Sequence, residues 1–217
     1  MGTGHSYSLQ PNEEPSQTET QNSDTRAKVV AQVKLKPPHN YEVLLRDADS
    51  PVDRSSMDKL YDQLCSGLLL NQKRKKYWVD KNSKNCFFLH ARNLTITWGA
   101  EKRYWHDEVI DVAELLNTTN LSPGTLYELA FVVKLKDPAY GWEVPVNVRL
   151  TLPDGNKQEH KENLMKKPRG DWIEIPVGEF VTSPENTGEI EFSINEYEDG
   201  QWKRRLVIKG ITIRPKY

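Results

Sequence analysis

Cysteine is almost missing from this chain: its 217 residues hold two, Cys65 and Cys86. Two thiols cannot build a disulfide framework, and no cluster of Cys and His has zinc spacing. Both are expected as free thiols in a reducing compartment, cross-linking within or between chains only on exposure to oxidant. Long apolar runs are missing too. Nothing approaches the roughly 18 residues of a membrane span, and the N-terminus lacks a charged segment followed by an apolar one. A soluble protein outside the secretory route is therefore expected, which leaves the sequons at Asn93, Asn117 and Asn120 silent. Charge of one sign is missing as well: 30 Lys and Arg against 31 Asp and Glu give a net −1, so no global field draws the chain to nucleic acid or membrane. Finally, the chain contains no Gly-x-Ser-x-Gly, His-Glu-x-x-His, Walker loop or Gly-x-Gly-x-x-Gly, and its five histidines are scattered. Nucleophilic, metal-dependent and nucleotide-dependent catalysis lose their usual signals, and neither a cofactor nor a metal is expected.

What is present reads as three regions. Residues 1–27 are rich in Ser, Thr, Gln, Asn, Glu and Pro and nearly free of aliphatics. Such a segment cannot bury enough apolar area to offset its ordering entropy, and is expected to be disordered. Residues 28–76 form an extension. Lys28 to Lys36 suits a short strand ended by Pro37-Pro38, and Ser55 to Gly67 carries the best helix. There Ser55 or Ser56 caps, Met57, Leu60, Tyr61, Leu64 and Leu68 share a face, and Gly67 stops. Lys73 to Lys76 reads as a solvated linker or, alternatively, a phosphate contact.

From residue 77 to 217 short alternating segments recur between turn signals, as an all-β sandwich requires. Cys86 to Ala91 and Leu94 to Trp98 come first. Val109 to Leu116 reads as a short helix or irregular, and Asn156 to Arg169 as a polar loop. Clean alternation marks Tyr127 to Leu135, Val144 to Leu152, Trp172 to Val177, Glu189 to Glu196 and Trp202 to Ile213, with a bulge at Gly210. About eight strands are expected.

Two kinds of residue suggest chemistry. In Asn93–Trp105 a strand ends at Trp98, and a charged loop then delivers Tyr104 and Trp105. An indole offers a flat apolar face and one N–H donor, which suits the C–H face of a sugar ring. Trp98 shares parity with Leu94 and Ile96, which favours the core; Trp105 stands open between core and site. Glu189 and Glu196 are the second pair. At opposite ends of one regular strand they lie roughly 20 Å apart on opposite faces, whereas a glycosidase needs its carboxyls within about 5–10 Å. They remain candidates as separate acceptors of sugar hydroxyls, or simply as solvated charges.

Several motifs along the chain carry a resemblance: Leu45-Arg46-Asp47-Ala48-Asp49, Lys76-Tyr77-Trp78-Val79-Asp80, Ala91 to Trp98 with Tyr104-Trp105, Asp137 to Trp142, Gly178-Glu179-Phe180 and Ile208 to Pro215. From about Pro38 to Tyr217 the chain resembles phloem protein 2, the plant phloem lectin whose C-terminal domain is shared with the tobacco agglutinin Nictaba. The resemblance implies a jelly-roll-type β-sandwich that binds N-acetylglucosamine oligomers, the units of chitin and of the N-glycan core, without enzymatic activity or metal. It also implies a site made of two tryptophans and two glutamates, which by motif fall on Trp98, Trp105, Glu189 and Glu196. Between Trp105 and Asn120 the chain is shorter than the family pattern, so the loop beside Trp105 is expected to be rebuilt. A cytoplasmic place in sieve elements and companion cells, a homodimer and a defence or wound role accompany this reading. The alternative is a structural or transport protein, joined to phloem filaments through Cys65 or Cys86, or carrying RNA on Lys73 to Lys76 and Lys166-Lys167.

Overall fold

In the computed structural model, the structure describes residues 36–96, 111–196 and 203–217. The tail and the segment Lys28 to Leu35 lie outside the described residues. The first elements are helical: a single turn, α1 (Tyr41–Leu44), and α2 (Met57–Ser66). Ser56 caps α2 by accepting the Lys59 N–H at 3.2 Å, and Gly67 follows in a left-handed conformation, φ 92°, which a side chain rarely adopts. One face of α2 buries Leu60, Tyr61 and Leu64 in the same core as the strands. Met57 remains partly exposed.

Among the described residues eleven strands follow: β1 (Leu68–Leu70), β2 (Lys75–Val79), β3 (Asn85–His90), β4 (Thr95–Ile96), β5 (Asp111–Asn117), β6 (Leu126–Tyr140), β7 (Val146–Thr151), β8 (Lys157–Glu162), β9 (Ile173–Val181), β10 (Glu189–Asn195) and β11 (Arg204–Pro215). They make two antiparallel sheets, a six-stranded one in the order β1-β2-β3-β11-β6-β9 and a five-stranded one in the order β4-β5-β10-β7-β8. The expected all-β sandwich is therefore present. Its core is the set of inward positions read from alternation: Tyr127, Leu129, Phe131, Val133 and Leu135 on β6, Val146, Val148 and Leu150 on β7, and Ile190, Phe192 and Ile194 on β10 are all buried. Phe131 and Phe192 meet edge to face across the two sheets, 6.0 Å between centroids.

Two devices tie the layers down. Asn85 is fully buried; its side chain accepts from the Tyr77 hydroxyl at 3.0 Å and donates to the carbonyls of His39 and Asn120, each at 2.7 Å. That network fastens the chain before α1 to the sandwich, since breaking it strands buried polar groups. The second device is a bulge in β11, where the register against β6 shifts between Ile208 and Gly210. A Cβ on Gly210 would lie 2.0 Å from the Leu89 carbonyl oxygen, with φ at 154°. The bulge expected there is present, and only glycine fits.

Three expectations are corrected. Val109 to Leu116 is neither helix nor irregular over its described part; it contributes β5, paired on both sides by β4 and β10. The polar stretch from Asn156 contains β8, an edge strand made only of Lys, Gln, Glu and His, the composition that blunts an edge against further pairing. Lys73 to Lys76 is no linker: it runs from a tight turn into β2.

Candidate functional site

β10 carries both candidate glutamates. Its register against β5 runs unbroken from Glu189 opposite Asn117 to Asn195 opposite Asp111. No bulge bends the strand, so its ends stay roughly 20 Å apart at about 3.3 Å per residue. Glu189 is exposed at one end and is not among the residues that line the cleft of about 560 Å³ formed by Thr118, Leu121, Pro123 and Pro184 among others. Glu196, one residue past the other end, is 1% exposed and ion-paired with Lys203, itself 2% exposed. The structure does not bring the two carboxylates together, and an acid/base pair spanning one glycosidic bond is ruled out by their separation.

Trp98 and Trp105 lie outside the described residues. The residues that bound their segment do not. Ile96 pairs with Val112, and Asp111 pairs with Asn195, the neighbour of Glu196. The chain therefore leaves β4 and enters β5 at the Glu196 end of the sheet, which groups Glu196 with that segment and sets Glu189 apart.

Sequence reasoning missed Glu114. It lies on the inward parity of β5 between Val112 and Leu116, both buried, while Leu115 points outward at 54% exposure. A charge inside and a leucine outside blur the period of two, which is why this strand escaped notice. Burial pushes the Glu114 carboxyl above the usual range, against the pull of the Leu115 and Thr95 backbone and the Lys75 ammonium. Beside it opens a pocket of about 410 Å³ lined by Asn71, Gln72, Arg74, Lys75, Asn93 and Glu114.

The outer face of the six-stranded sheet is basic and aromatic. The Lys134 and Lys209 ammoniums lie 4.9 and 5.6 Å from the centre of the Trp172 ring. Lys209 also reaches Phe88 at 5.9 Å, Phe88 packs edge-on against His90 at 5.0 Å, and Lys76 covers Trp78 at 5.9 Å. Burial, then Arg92, Lys209 and Lys76, hold the His90 imidazole below its ordinary value. Lys167, by contrast, is engaged with Glu162 at 3.1 Å.

The two thiols differ. Cys65 is exposed and Cys86 buried, both are free, and burial pushes the Cys86 thiol up to about 12. Among the described residues no cluster of metal-ligating side chains occurs, and no helix is long and apolar enough to cross a membrane.

Fold and surface together define an all-β sandwich with one cleft among the connections at Thr118 to Gly124 and Thr182 to Thr187 and a polar one beside Glu114. The model of the family described as Phloem protein 2 matches residues 107–215. The chain is 45% identical to the Arabidopsis thaliana Protein PHLOEM PROTEIN 2-LIKE A1, covering 84% of this chain and 82% of that one. It is likewise 45% identical to a protein of Luffa acutangula named Lectin, over 82% of this chain and 94% of that one. The chain belongs to the phloem protein 2 family.

Proposed function

We propose that this protein is a phloem lectin that binds N-acetylglucosamine oligomers and carries no catalytic activity. The observation that supports this most is its kinship with the Luffa acutangula lectin, nearly all of whose length it matches. Trp98 and Trp105 supply stacking faces for sugar rings. Glu196, at the sheet end where their segment begins and closes, contributes by fixing that end through Lys203. Glu189 acts separately, as an exposed acceptor at the far end. Covering a sugar face with an indole removes on the order of 50–100 Å² of apolar area, worth roughly 1–2.5 kcal/mol. A single ring then binds at around millimolar, and an oligomer spanning both indoles more tightly.

Calorimetric titration with chitotriose tests this reading. Saturable binding is expected, and Trp105→Ala should weaken it about tenfold, near 1.4 kcal/mol, with an unchanged melting temperature. A protein that binds no chitin oligomer on an array or in the calorimeter is not this lectin. In the phloem, oxidative cross-linking to a filament partner would run through Cys65, because Cys86 is buried. Alkylation of the folded protein should therefore modify Cys65 alone, with Cys86 reacting only after unfolding; two equal adducts in the folded state refute the assignment.

The basic, aromatic sheet face favours a second activity, RNA binding, since single strands are held by cations interleaved with stacking rings. Lys209→Ala and Trp172→Ala should each weaken binding to a single-stranded RNA, and affinity should fall steeply with salt. Binding that ignores both variants rejects this face.

A further inference from the structure

We propose that the mouth between the two sheets beside β4 is a second ligand site, built from residues other than Trp98 and Trp105, that takes a neutral sugar ring. Two residues break the sandwich pattern there. Lys75 sits on the inward parity of β2, shared with buried Tyr77 and Val79, and Glu114 sits on the inward parity of β5. A packed sandwich would place apolar side chains at both positions. Instead the two charges face each other from opposite sheets without closing an ion pair, and the pocket of about 410 Å³ opens among them, Asn71, Gln72, Arg74 and Asn93. That volume falls in the range of small-molecule sites.

The rim is built rather than loose. Asn71, Gln72 and Lys73 follow one another with φ of 54°, 57° and 62°, a left-handed run that costs free energy at each non-glycine residue. It is held by Asp49, whose carboxylate accepts the Gln72 N–H at 2.6 Å and the Lys73 N–H at 2.7 Å, and by the Asp47 carbonyl, which accepts the Asn71 N–H at 3.0 Å. The strained turn sets the backbone from which the Asn71, Gln72 and Arg74 side chains reach the pocket.

The lining selects the ligand. Glu114 only accepts when ionised, Lys75 and Arg74 only donate, and the three carboxamides do both. A sugar hydroxyl both donates and accepts, so neighbouring hydroxyls on one ring can satisfy Glu114 and Lys75 together. An anionic sugar would meet the Glu114 carboxylate as well as the two cations, whereas a neutral ring, whose hydroxyls serve both signs, fits the whole lining. None of the six lining residues named is aromatic, so recognition runs through hydrogen bonds and affinity for one ring should be low.

The test is amide chemical-shift mapping on the full chain, titrating glucose, galactose, mannose, N-acetylglucosamine and glucuronate to about 50 mM, where a millimolar site is nearly saturated. At least one of the four neutral sugars should shift the signals of Asn71 to Lys75, Asn93 and Glu114 saturably, and more tightly than glucuronate. Lys75→Met and Glu114→Gln, each checked to melt no lower than the natural chain, should each weaken that binding at least tenfold. Trp105→Ala should leave it intact, which separates failure of this site from failure of the chitin-oligomer reading. The proposal is overturned if no neutral sugar moves these signals, if glucuronate binds more tightly than all four neutral sugars, or if a folded pocket variant binds as the natural chain does.

Discussion

Two glutamate–lysine pairs sit inside this sandwich and behave oppositely. Glu196 and Lys203 touch, both almost fully buried, across the connection from β10 to β11. Glu114 and Lys75 face each other across the sheet mouth, partly exposed, with a pocket between. The first pair has removed its charges from water and each must answer the other; the second has kept water, and hence a ligand, within reach. Identical side-chain chemistry becomes a structural clamp in one place and a recognition surface in the other, and the deciding variable is whether the sheets close over it.

That contrast can be broken by substitution, beginning where the effect is largest. Glu196→Gln removes the buried carboxylate charge that Lys203 meets and should destabilise the fold by about 3–5 kcal/mol. Pairing it with Lys203→Met should recover much of the loss, as urea melts of both variants will read out. An unperturbed Glu196→Gln melt would mean that the clamp is not one.

Glu114→Gln should act differently, and with a sign set by pH. The folded state raises the Glu114 carboxyl, chiefly by burial, so its ionisation costs the native state more than the unfolded one. The natural chain then loses this increment of stability as pH rises from the unfolded value, about 4.3, through the higher folded one. The variant should melt slightly higher than the natural chain at neutral pH and level with it in acid, by less than about 1 kcal/mol, since the group is partly solvated. A variant less stable at neutral pH would place Glu114 among the clamps.

Smallest of all is the exposed pair on the outer face of the five-stranded sheet, Arg149 and Glu159, 3.0 Å apart. Glu159→Gln should shift stability by no more than about 0.5 kcal/mol and lose even that at high salt. A larger loss, or one that salt does not erase, would show that exposure is not what separates clamp from ornament here.

How far the sequence alone reached is visible in particular residues. The period of two in Tyr127 to Leu135 and in Glu189 to Glu196 determined which side chains line the core, because a strand's alternation is local geometry and needs no partner. Ser56, Gly67 and Gly210 likewise announced a cap, a stop and a bulge through backbone chemistry each residue carries by itself. The motifs from Leu45 to Pro215 determined the family. β5 and β8 were illegible for a physical reason: one hides a glutamate inside and shows a leucine outside, the other is polar throughout, and both are strands because neighbouring strands supply their hydrogen bonds. The site divided in the same way. Sequence placed Glu189 and Glu196 on one strand and at its two ends. Only the tertiary structure decided that Glu196 is closed by Lys203 while Glu114 is open beside Lys75, because burial depends on which chain segments cover a residue, and those segments lie far away in sequence.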